Sequence, residues 1–247
     1  MQWTRFSIVG MLFFLSCSSS DEPGDIVKEL QTLATIVEQS AVEIDNVIAC
    51  ASGSTNPNEV IAYVYPRGDA TALKYWETPD ITTDKNDYAA YTQVDLNSED
   101  FFNGYLKTFT RETEVERWVI ISFRESGKLH ISNPILLKHQ SQNTLFSSTV
   151  AIDQSEVGSP IFDWNSLVGP QDNIYFQVVS DGMNDLLSGT YTTETNFQYY
   201  ELDNVVLNIT TVTPPSLTSG NEYHFTMMGV SEDNWVNTLV QVPFTAN

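Results

Sequence analysis

The three histidines of the chain, His130, His139 and His224, are the first side chains to consider for chemistry, because imidazole binds zinc and acts as a general base. No two of them have the i,i+4 spacing of a helical zinc motif. His224 alternates with Tyr223 and Phe225 in a predicted strand, which favours a surface-facing residue over a catalytic base. No Gly-x-Ser-x-Gly elbow or glycine-rich phosphate loop is present. We therefore expect no catalytic residue, no metal and no cofactor, and the sequence predicts that the protein is not an enzyme.

Acidic clusters are a second possible source of chemistry, since carboxylate oxygens bind calcium. The clusters at 84–87 and 95–100 lack the sixth-position glycine and the twelfth-position glutamate of an EF-hand loop. Two further acidic clusters lie at 181–185 and 232–234. Solvation of loops is the simpler explanation, so we expect no metal site. Glycoside hydrolysis would need a pair of carboxylates lining a cleft, which spacing alone does not show.

Aromatic side chains are the remaining candidates, because sugars stack their apolar faces on Trp and Tyr. Trp118 and Trp164 lie within predicted strands, so we expect both in the core. Trp76 ends a predicted strand, and Trp235 follows the acidic loop 232–234. Tyr199 and Tyr200 lie in an irregular stretch. Ordinary packing remains the alternative for all of them. The residues that we expect to be exposed and to bind a ligand are Trp235, Tyr199, Tyr200 and Trp76.

Charge divides the chain into two unlike parts. All eleven Lys and Arg residues lie at or before Lys138, whereas residues 139–247 contain twelve Asp or Glu and no basic residue. Nucleic acids and anionic membrane surfaces are bound through Lys and Arg, so neither is a partner of the C-terminal half. Solubility of an exposed protein explains this charge better than specific cation binding does.

The elements that must position these residues begin with a predicted amphipathic helix at 25–45. Its apolar residues recur at spacings of four, three, four and seven, and Asp25 is placed to cap the first turn. Such a helix either packs on the following domain or pairs weakly with copies of itself as a stalk. We favour packing, because Ser40 and Glu43 interrupt the apolar stripe.

From Val47 onward, short β-rich runs are separated by turn residues, the pattern of a β-sandwich. Seven predicted strands in about ninety residues fit one immunoglobulin-like domain at 46–138. Cys50 lies in one of these apolar runs and is expected to be a packed thiol with no disulfide partner. The polar connection 138–142 is the predicted domain boundary. The predicted strands are 47–52, 60–65, 72–77, 91–96, 106–110, 117–124 and 128–137.

The second predicted domain, 143–247, resembles the fibronectin type III family. Pro160–Trp164 is similar to the second strand with its core tryptophan, and Ile174–Val179 to the third. Leu217–Phe225 is similar to the corner that leads into the sixth strand. The resemblance implies that the leucine packs under the turn, the glycine permits the turn, and the Tyr223 hydroxyl bonds back to the backbone. Residues 181–203 depart from the family pattern and indicate a longer excursion.

The N-terminal segment has the pattern of a secretory signal. It contains one arginine and an apolar run from Ile8 to Leu15 that is too short to span a bilayer. The following Ser16-Cys17 resembles the bacterial lipobox. That resemblance implies removal of a signal peptide at 1–16 and attachment of the mature chain to a membrane through lipid on Cys17. An ordinary cleaved signal ending near Ser20 is the alternative.

The residues after Cys17 are polar and become acidic at once, so 17–24 is predicted to be a flexible tether. The run Ser18–Glu22 resembles the acidic export signal of surface lipoproteins of the Bacteroidota. This resemblance implies an outer-membrane protein that faces the cell exterior, with the periplasmic face as the alternative.

Together these patterns predict an all-β fold, with two immunoglobulin- or fibronectin-III-like sandwiches in tandem after a short N-terminal helix. The function favoured by the sequence is a non-enzymatic, lipid-anchored cell-surface binding or scaffolding protein whose partner is another envelope protein. A glycan-binding accessory lipoprotein of a carbohydrate uptake system is the alternative. A glycoside hydrolase is a less favoured alternative, and the fold alone does not choose among them.

Overall fold

Strands dominate the structure, a computed structural model that describes residues 31–169 and 171–247. The predicted signal peptide 1–16, Cys17 and the tether 17–24 lie outside the described residues, as does the first part of the predicted helix 25–45. Within the described part, no helix is long and apolar enough to cross a membrane.

The predicted helix is shorter than the sequence indicates. Helix α1 covers only Leu33–Glu38, and Thr32 caps it by accepting a hydrogen bond from the Thr35 amide. The chain then turns and forms strand β1 (Val42–Val47), so the prediction of helix up to residue 45 is wrong. The cause is tertiary, because β1 gains a parallel strand partner at residues 128–132. Leu33 is fully buried against the first sandwich, as expected for a helix that packs on the following domain.

The first sandwich contains two sheets in an immunoglobulin-like arrangement. One sheet has the order β2-β3-β7-β6, and the other has the order β1-β9-β8-β4-β5 with β10 beside β8. The four-stranded sheet matches the ABED order of immunoglobulin domains, and β9-β8-β4 matches GFC. Its other strands are β2 (Ala49–Gly53), β3 (Glu59–Val64), β4 (Thr71–Glu77), β5 (Thr92–Val94), β6 (Ser98–Phe101), β7 (Leu106–Glu112), β8 (Trp118–Glu125), β9 (Lys128–Ser132) and β10 (Ile135–Leu136).

The second sandwich pairs a large sheet of order β11-β19-β18-β14-β15-β17 with a small sheet of order β12-β13-β16. Its core contains Trp164, as predicted, with the stacked rings of Phe162 and Phe225 at 3.9 Å. The strands are β11 (Leu145–Ser147), β12 (Ala151–Asp153), β13 (Ile161–Asp163), β14 (Ile174–Asp181), β15 (Leu186–Thr192), β16 (Asn196–Gln198), β17 (Val205–Asn208), β18 (Glu222–Val230) and β19 (Val236–Thr245).

The corner before β18 has the geometry that the fibronectin-III resemblance implies. The Thr218 amide donates a hydrogen bond of 2.9 Å to the Tyr223 hydroxyl. Leu217 is buried, and Gly220 has a φ of 83°, which a residue with a Cβ rarely adopts. The sequence therefore predicts this corner correctly, and the all-β fold with two sandwiches is confirmed.

The connection between the sandwiches is buried at its start, whereas Gln140 and Ser141 are exposed. Lys138 is 8% exposed and pairs with Asp233 at 2.9 Å, and His139 is 3% exposed. Apart from an isolated bridge between Ala51 and Trp235, the described strands of each sandwich pair only within that sandwich. An apolar cluster with side chains from both sandwiches joins them, so the two form a continuous core.

Candidate functional site

Three of the four aromatic residues expected at a ligand site are buried, so that prediction is wrong for them. Trp76 is fully buried, and its indole donates to the Ser122 hydroxyl at 2.8 Å. Tyr199 is fully buried, and its hydroxyl donates to the Pro215 carbonyl at 2.7 Å. Both polar atoms therefore have partners inside the protein, which makes burial of the whole ring favourable. Tyr200 alone is open to solvent, with 46% exposure.

Trp235 is the third buried residue of that set, and it joins the two sandwiches. Its ring belongs to the apolar core of the first sandwich, although the strand that follows it, β19, belongs to the second. The loop before Trp235 is held against the first sandwich, because the Ala51 amide of β2 donates to the Asn234 carbonyl at 3.1 Å. The indole itself donates to the Gln142 carbonyl at 3.0 Å. Trp235 is therefore an anchor between the sandwiches and not a ligand platform.

The large sheet of the second sandwich turns one face toward the first sandwich. Side chains two apart along a strand share a face, so Phe176, Val178 and Ser180 of β14 lie on this face. Strand β18 continues the rows, because Met228 is paired with Phe176 and His224 with Ser180. The face is thus apolar at one end and polar at the other.

The apolar end, which we call the packed half, consists of Phe176, Val178, Met228 and Leu239. These residues contact side chains of the first sandwich that include Tyr63 and Leu106. Burial also raises the pKa of the Tyr63 hydroxyl to about 12, which keeps that group neutral. The packed half holds the two sandwiches together and offers no space for a ligand.

The polar end, which we call the open half, consists of Ser180, His224, Thr226, Gln241 and Pro243. It forms one wall of a cavity of about 400 Å³ between the two sandwiches, which we call the cleft. Domain interfaces are among the places where ligand pockets occur preferentially. The opposite wall comes from the first sandwich and consists of the end of β6, with Asp100 and Phe101, and the β6–β7 turn, with Phe102 and Asn103.

The turn that closes the cleft has an unusual backbone. Phe102 and Asn103 have φ values of 50° and 49°, and Gly104 has 88°. Residues with a side chain rarely adopt this left-handed region, and such strain is often found at functional sites. The conformation inserts the buried Phe102 ring between the sandwiches. It also places the Asn103 amide 2.6 Å from the Asp185 carboxylate and 3.0 Å from the Met183 carbonyl, both of which accept from it.

The polar groups of the cleft are suited to hydrogen bonding with a neutral ligand. The Ser180 hydroxyl has no partner, but it is buried beneath the wall of the cleft and is not accessible from it. His224 donates from Nδ1 to the Asp181 carbonyl at 3.3 Å, and its Nε2 lies 4.0 Å from the Glu222 carboxylate. Amide side chains of Asn184 and Gln241 complete the lining together with the Phe101 ring.

The acidic clusters stabilise turns. Asp84 accepts from the Asn86 amide at 2.9 Å, and Asp181 accepts from the amides of Met183 and Asp185 at 2.9 Å. The cluster 95–100 is partly strand, because β6 begins at residue 98. Among the residues that the structure describes, no three His, Cys, Asp or Glu side chains are placed to share a metal ion.

The chain matches no protein-family model and no curated protein. Among solved structures, it is similar to the FN1–FN3 domains of chicken CNTN1, with 9% identity over 83% of this chain and 68% of that chain and a TM-score of 0.28. It is also similar to the glycoside hydrolase domain of Endo-D, Spr0440, from Streptococcus pneumoniae R6. That similarity has 12% identity, covers 81% of this chain and 33% of that chain, and has a TM-score of 0.30.

Proposed function

We propose that the chain is a non-enzymatic, lipid-anchored cell-surface binding protein, and that its cleft holds a glycan. The observation that carries the proposal is the cleft itself, a cavity of about 400 Å³ with amides, hydroxyls and an aromatic ring on its walls. Sugars are bound by this combination, because amides and hydroxyls read the sugar hydroxyls while a ring contacts the apolar face.

The composition of the cleft favours a glycan over an envelope protein as the ligand. Stable protein interfaces bury roughly 800 Å² on each partner and have an extended surface with an apolar centre. The cleft is concave and has a mixed polar and apolar lining, and the neighbouring apolar residues are already used in the packed half. A scaffolding role that presents other surfaces to an envelope protein remains compatible with the same anchor.

The membrane anchor and the cellular location are supported by the sequence. Ser16-Cys17 follows a short apolar run, and the acidic run Ser18–Glu22 follows the cysteine. Both patterns support an outer-membrane lipoprotein that faces the cell exterior, where a glycan-binding accessory protein of an uptake system would act. The absence of Lys and Arg after Lys138 argues against nucleic acid as a ligand.

The geometry of the cleft supports binding without catalysis. A serine nucleophile needs a base within hydrogen-bond reach, and the Ser180 hydroxyl has no partner. Glycoside hydrolysis generally uses two carboxyl groups that flank the scissile bond. Asp100 is the one carboxylate that lines the described cleft, and Lys107 already binds it.

The test is to screen the full lipoprotein, solubilised in detergent, against a glycan array and to titrate the glycans that bind by calorimetry. Gln241 is exposed and lines the cleft, so Gln241→Ala should weaken binding about fivefold to tenfold through the loss of a hydrogen bond. Thr245→Ala is the matched control, because it changes an exposed residue of the same strand outside the cleft.

Three outcomes would contradict the proposal. Equal glycan affinity for Gln241→Ala and the unchanged protein would place the site elsewhere. Release of shorter glycans during incubation would make the protein a hydrolase. Mass spectrometry of the mature N-terminus should show diacylglycerol on Cys17, and a free N-terminus at Ser18 or later would exclude the anchor.

A further inference from the structure

The β6–β7 turn contains the one Asn-Gly pair of the chain, Asn103-Gly104. The side-chain carbon Cγ of an asparagine and the backbone nitrogen of the next residue can close a five-membered ring, and an intramolecular attack of this kind is strongly favoured over one between separate molecules. Glycine hinders the attack least, because it has no Cβ. Asn103 is therefore the asparagine of this chain whose own backbone is best able to displace its amide group.

The fold leaves both reacting groups of this pair available. Asn103 is exposed. The Gly104 amide, whose nitrogen would attack, donates no backbone hydrogen bond within the described residues, because the β6–β7 ladder ends at the pair Phe101–Leu106. Ring closure also requires rotation of the peptide unit between Asn103 and Gly104. Glycine adopts many backbone conformations, so this rotation meets little steric resistance on its side.

Two other exposed asparagines of the same region lack these properties. The amide that follows Asn86 belongs to an aspartate and donates to the Asp84 carbonyl at 3.0 Å. Asn97 is followed by a serine, which is the first residue of β6. In both cases the attacking nitrogen belongs to a residue with a Cβ. Exposure alone therefore does not distinguish Asn103, whereas the unhindered and unbonded amide after it does.

The reaction needs only water and hydroxide. The Gly104 nitrogen gives its proton to hydroxide and forms a bond to Cγ of Asn103. The Cγ–Nδ2 bond breaks, and Nδ2 takes a proton from water and leaves as ammonia, which restores the hydroxide and leaves a succinimide ring. Water then opens the ring. Cleavage at Cγ gives an aspartate at position 103, and cleavage at the backbone carbonyl gives an isoaspartate, with no oxidation or reduction in either case.

Loss of the Asn103 amide breaks a contact between the two walls of the cleft. Nδ2 donates to the Asp185 carboxylate at 2.6 Å and to the Met183 carbonyl at 3.0 Å. Both partners are acceptors, and an ionised carboxylate at position 103 has no proton to donate to them. The new negative charge would also face that of Asp185 across a hydrogen-bond distance, which is repulsive. The product therefore cannot keep the contact that the amide makes.

We propose that Asn103-Gly104 is a site of spontaneous deamidation, and that the reaction releases the loop 181–185 from the β6–β7 turn. Asn103 lines the cleft from the first sandwich and Asn184 lines it from the second, so the shape of the cleft depends on this contact. The modified protein accumulates with time and has a looser cleft. The reaction does not depend on what the cleft binds, so it is independent of the function proposed above.

The first experiment measures the reaction in the folded full chain by mass spectrometry. Trypsin cuts after Lys85 and Lys107, so the peptide 86–107 contains Asn86 and Asn97 as internal controls. Position 103 should be converted from amide to acid faster than either control. The rate should be higher in mildly alkaline than in mildly acidic buffer, because the deprotonated amide is the attacking form. Asn103→Gln should stay an amide over the same time, because its longer side chain must close a larger ring.

The second experiment measures the effect on the cleft by hydrogen exchange. Asn103→Asp carries the product side chain from the start, and amides of residues 181–185 should exchange at least about fivefold faster in it, the scale of one lost net hydrogen bond. Asn97→Asp is the matched control, because it adds the same charge at an exposed residue outside the cleft and should leave this exchange unchanged.

Three results would overturn the proposal. The first is conversion at position 103 that is no faster than at Asn86 and Asn97 in the folded chain. The second is equally fast conversion of the Asn103→Gln variant, which would mean that the Gly104 nitrogen does not attack. The third is unchanged exchange at 181–185 in Asn103→Asp, which would mean that the modification does not reach the cleft.

Discussion

One face of the large sheet in the second sandwich performs two different tasks. Its packed half, with Phe176 and Met228, is covered by the first sandwich, whereas its open half, with Ser180 and His224, lines the cleft. The same strands, β14, β18 and β19, form both halves in one continuous register. The side chains therefore distinguish the two halves, because the backbone register is the same in both.

The packed half also determines the shape of the open half. Burial of a large apolar side chain stabilises by about 1.5–3 kcal/mol, so several such residues fix the first sandwich against the sheet. The β6–β7 turn is thereby held over the open half at a constant distance. Rigid elements position a site more accurately than loops that are supported only by one another.

The strongest test of this comparison removes the anchor Trp235. Trp235→Ala should lower the free energy of unfolding by about 3–5 kcal/mol, because it leaves a large cavity in the core of the first sandwich. Urea denaturation followed by circular dichroism measures the loss. Tyr200→Ala is the control, since Tyr200 is exposed and the change should stay within about 0.5 kcal/mol. Equal effects of the two variants would mean that Trp235 does not join the sandwiches.

The next test compares the two halves directly. Met228→Ala in the packed half should cost about 2–5 kcal/mol of stability, because Met228 is fully buried. Gln241→Ala in the open half should cost no more than about 0.5 kcal/mol, because Gln241 is exposed. Urea denaturation of both variants measures the difference. Similar losses at the two positions would show that the face is not divided as described.

Cys50 offers a second measurement on the Met228→Ala variant. It packs against the apolar cluster that joins the sandwiches, and burial raises the pKa of its thiol to about 12. The thiolate is the reactive form, so Cys50 of the unchanged protein should react slowly with a thiol reagent at pH 8. Met228→Ala should accelerate the reaction by opening the packed half, and Gln241→Ala should not.

The sequence predicts features with local causes and misses those with distant ones. The Leu217–Tyr223 corner is found because the leucine, glycine and tyrosine spacing is a local requirement of the turn. Trp235 is misassigned because its position after an acidic loop indicates exposure, while its burial depends on the first sandwich, far away in the sequence. Residues 42–45 are assigned to helix because the partner of β1 lies more than eighty residues later.

The cleft is also missed by the sequence analysis, because its walls come from residues that are far apart in the sequence. Strand β6 is not predicted, because its residues Ser98–Phe101 continue an acidic run that is typical of a loop. The polar residues of the open half come from three strands and carry no common motif. The sequence does contain one signal, because Ser180 and Gln241 follow the apolar same-face residues Val178 and Leu239 on their strands, and such an interruption on a covered face indicates a site.

The smallest expected effect concerns Asn103, which connects the cleft turn to the loop 181–185. Asn103→Ala should cost about 1–2 kcal/mol of stability, because it removes two hydrogen bonds and places alanine at a φ of 49°. Asn103→Gly should recover about 1 kcal/mol of that loss, since glycine adopts this conformation freely. Urea denaturation of the pair therefore separates the backbone cost from the cost of the lost side chain.

Hydrogen exchange then tests what the Asn103 side chain does for the open half. Both variants lack the amide that binds Met183 and Asp185, so amides of residues 181–185 should exchange faster in both, by about fivefold if one net hydrogen bond of about 1 kcal/mol is lost. Amides of the packed half, such as that of Met228, should exchange as before. Unchanged exchange at 181–185 in both variants would show that the turn and this loop are held apart from each other, and the cleft would then have only one fixed wall.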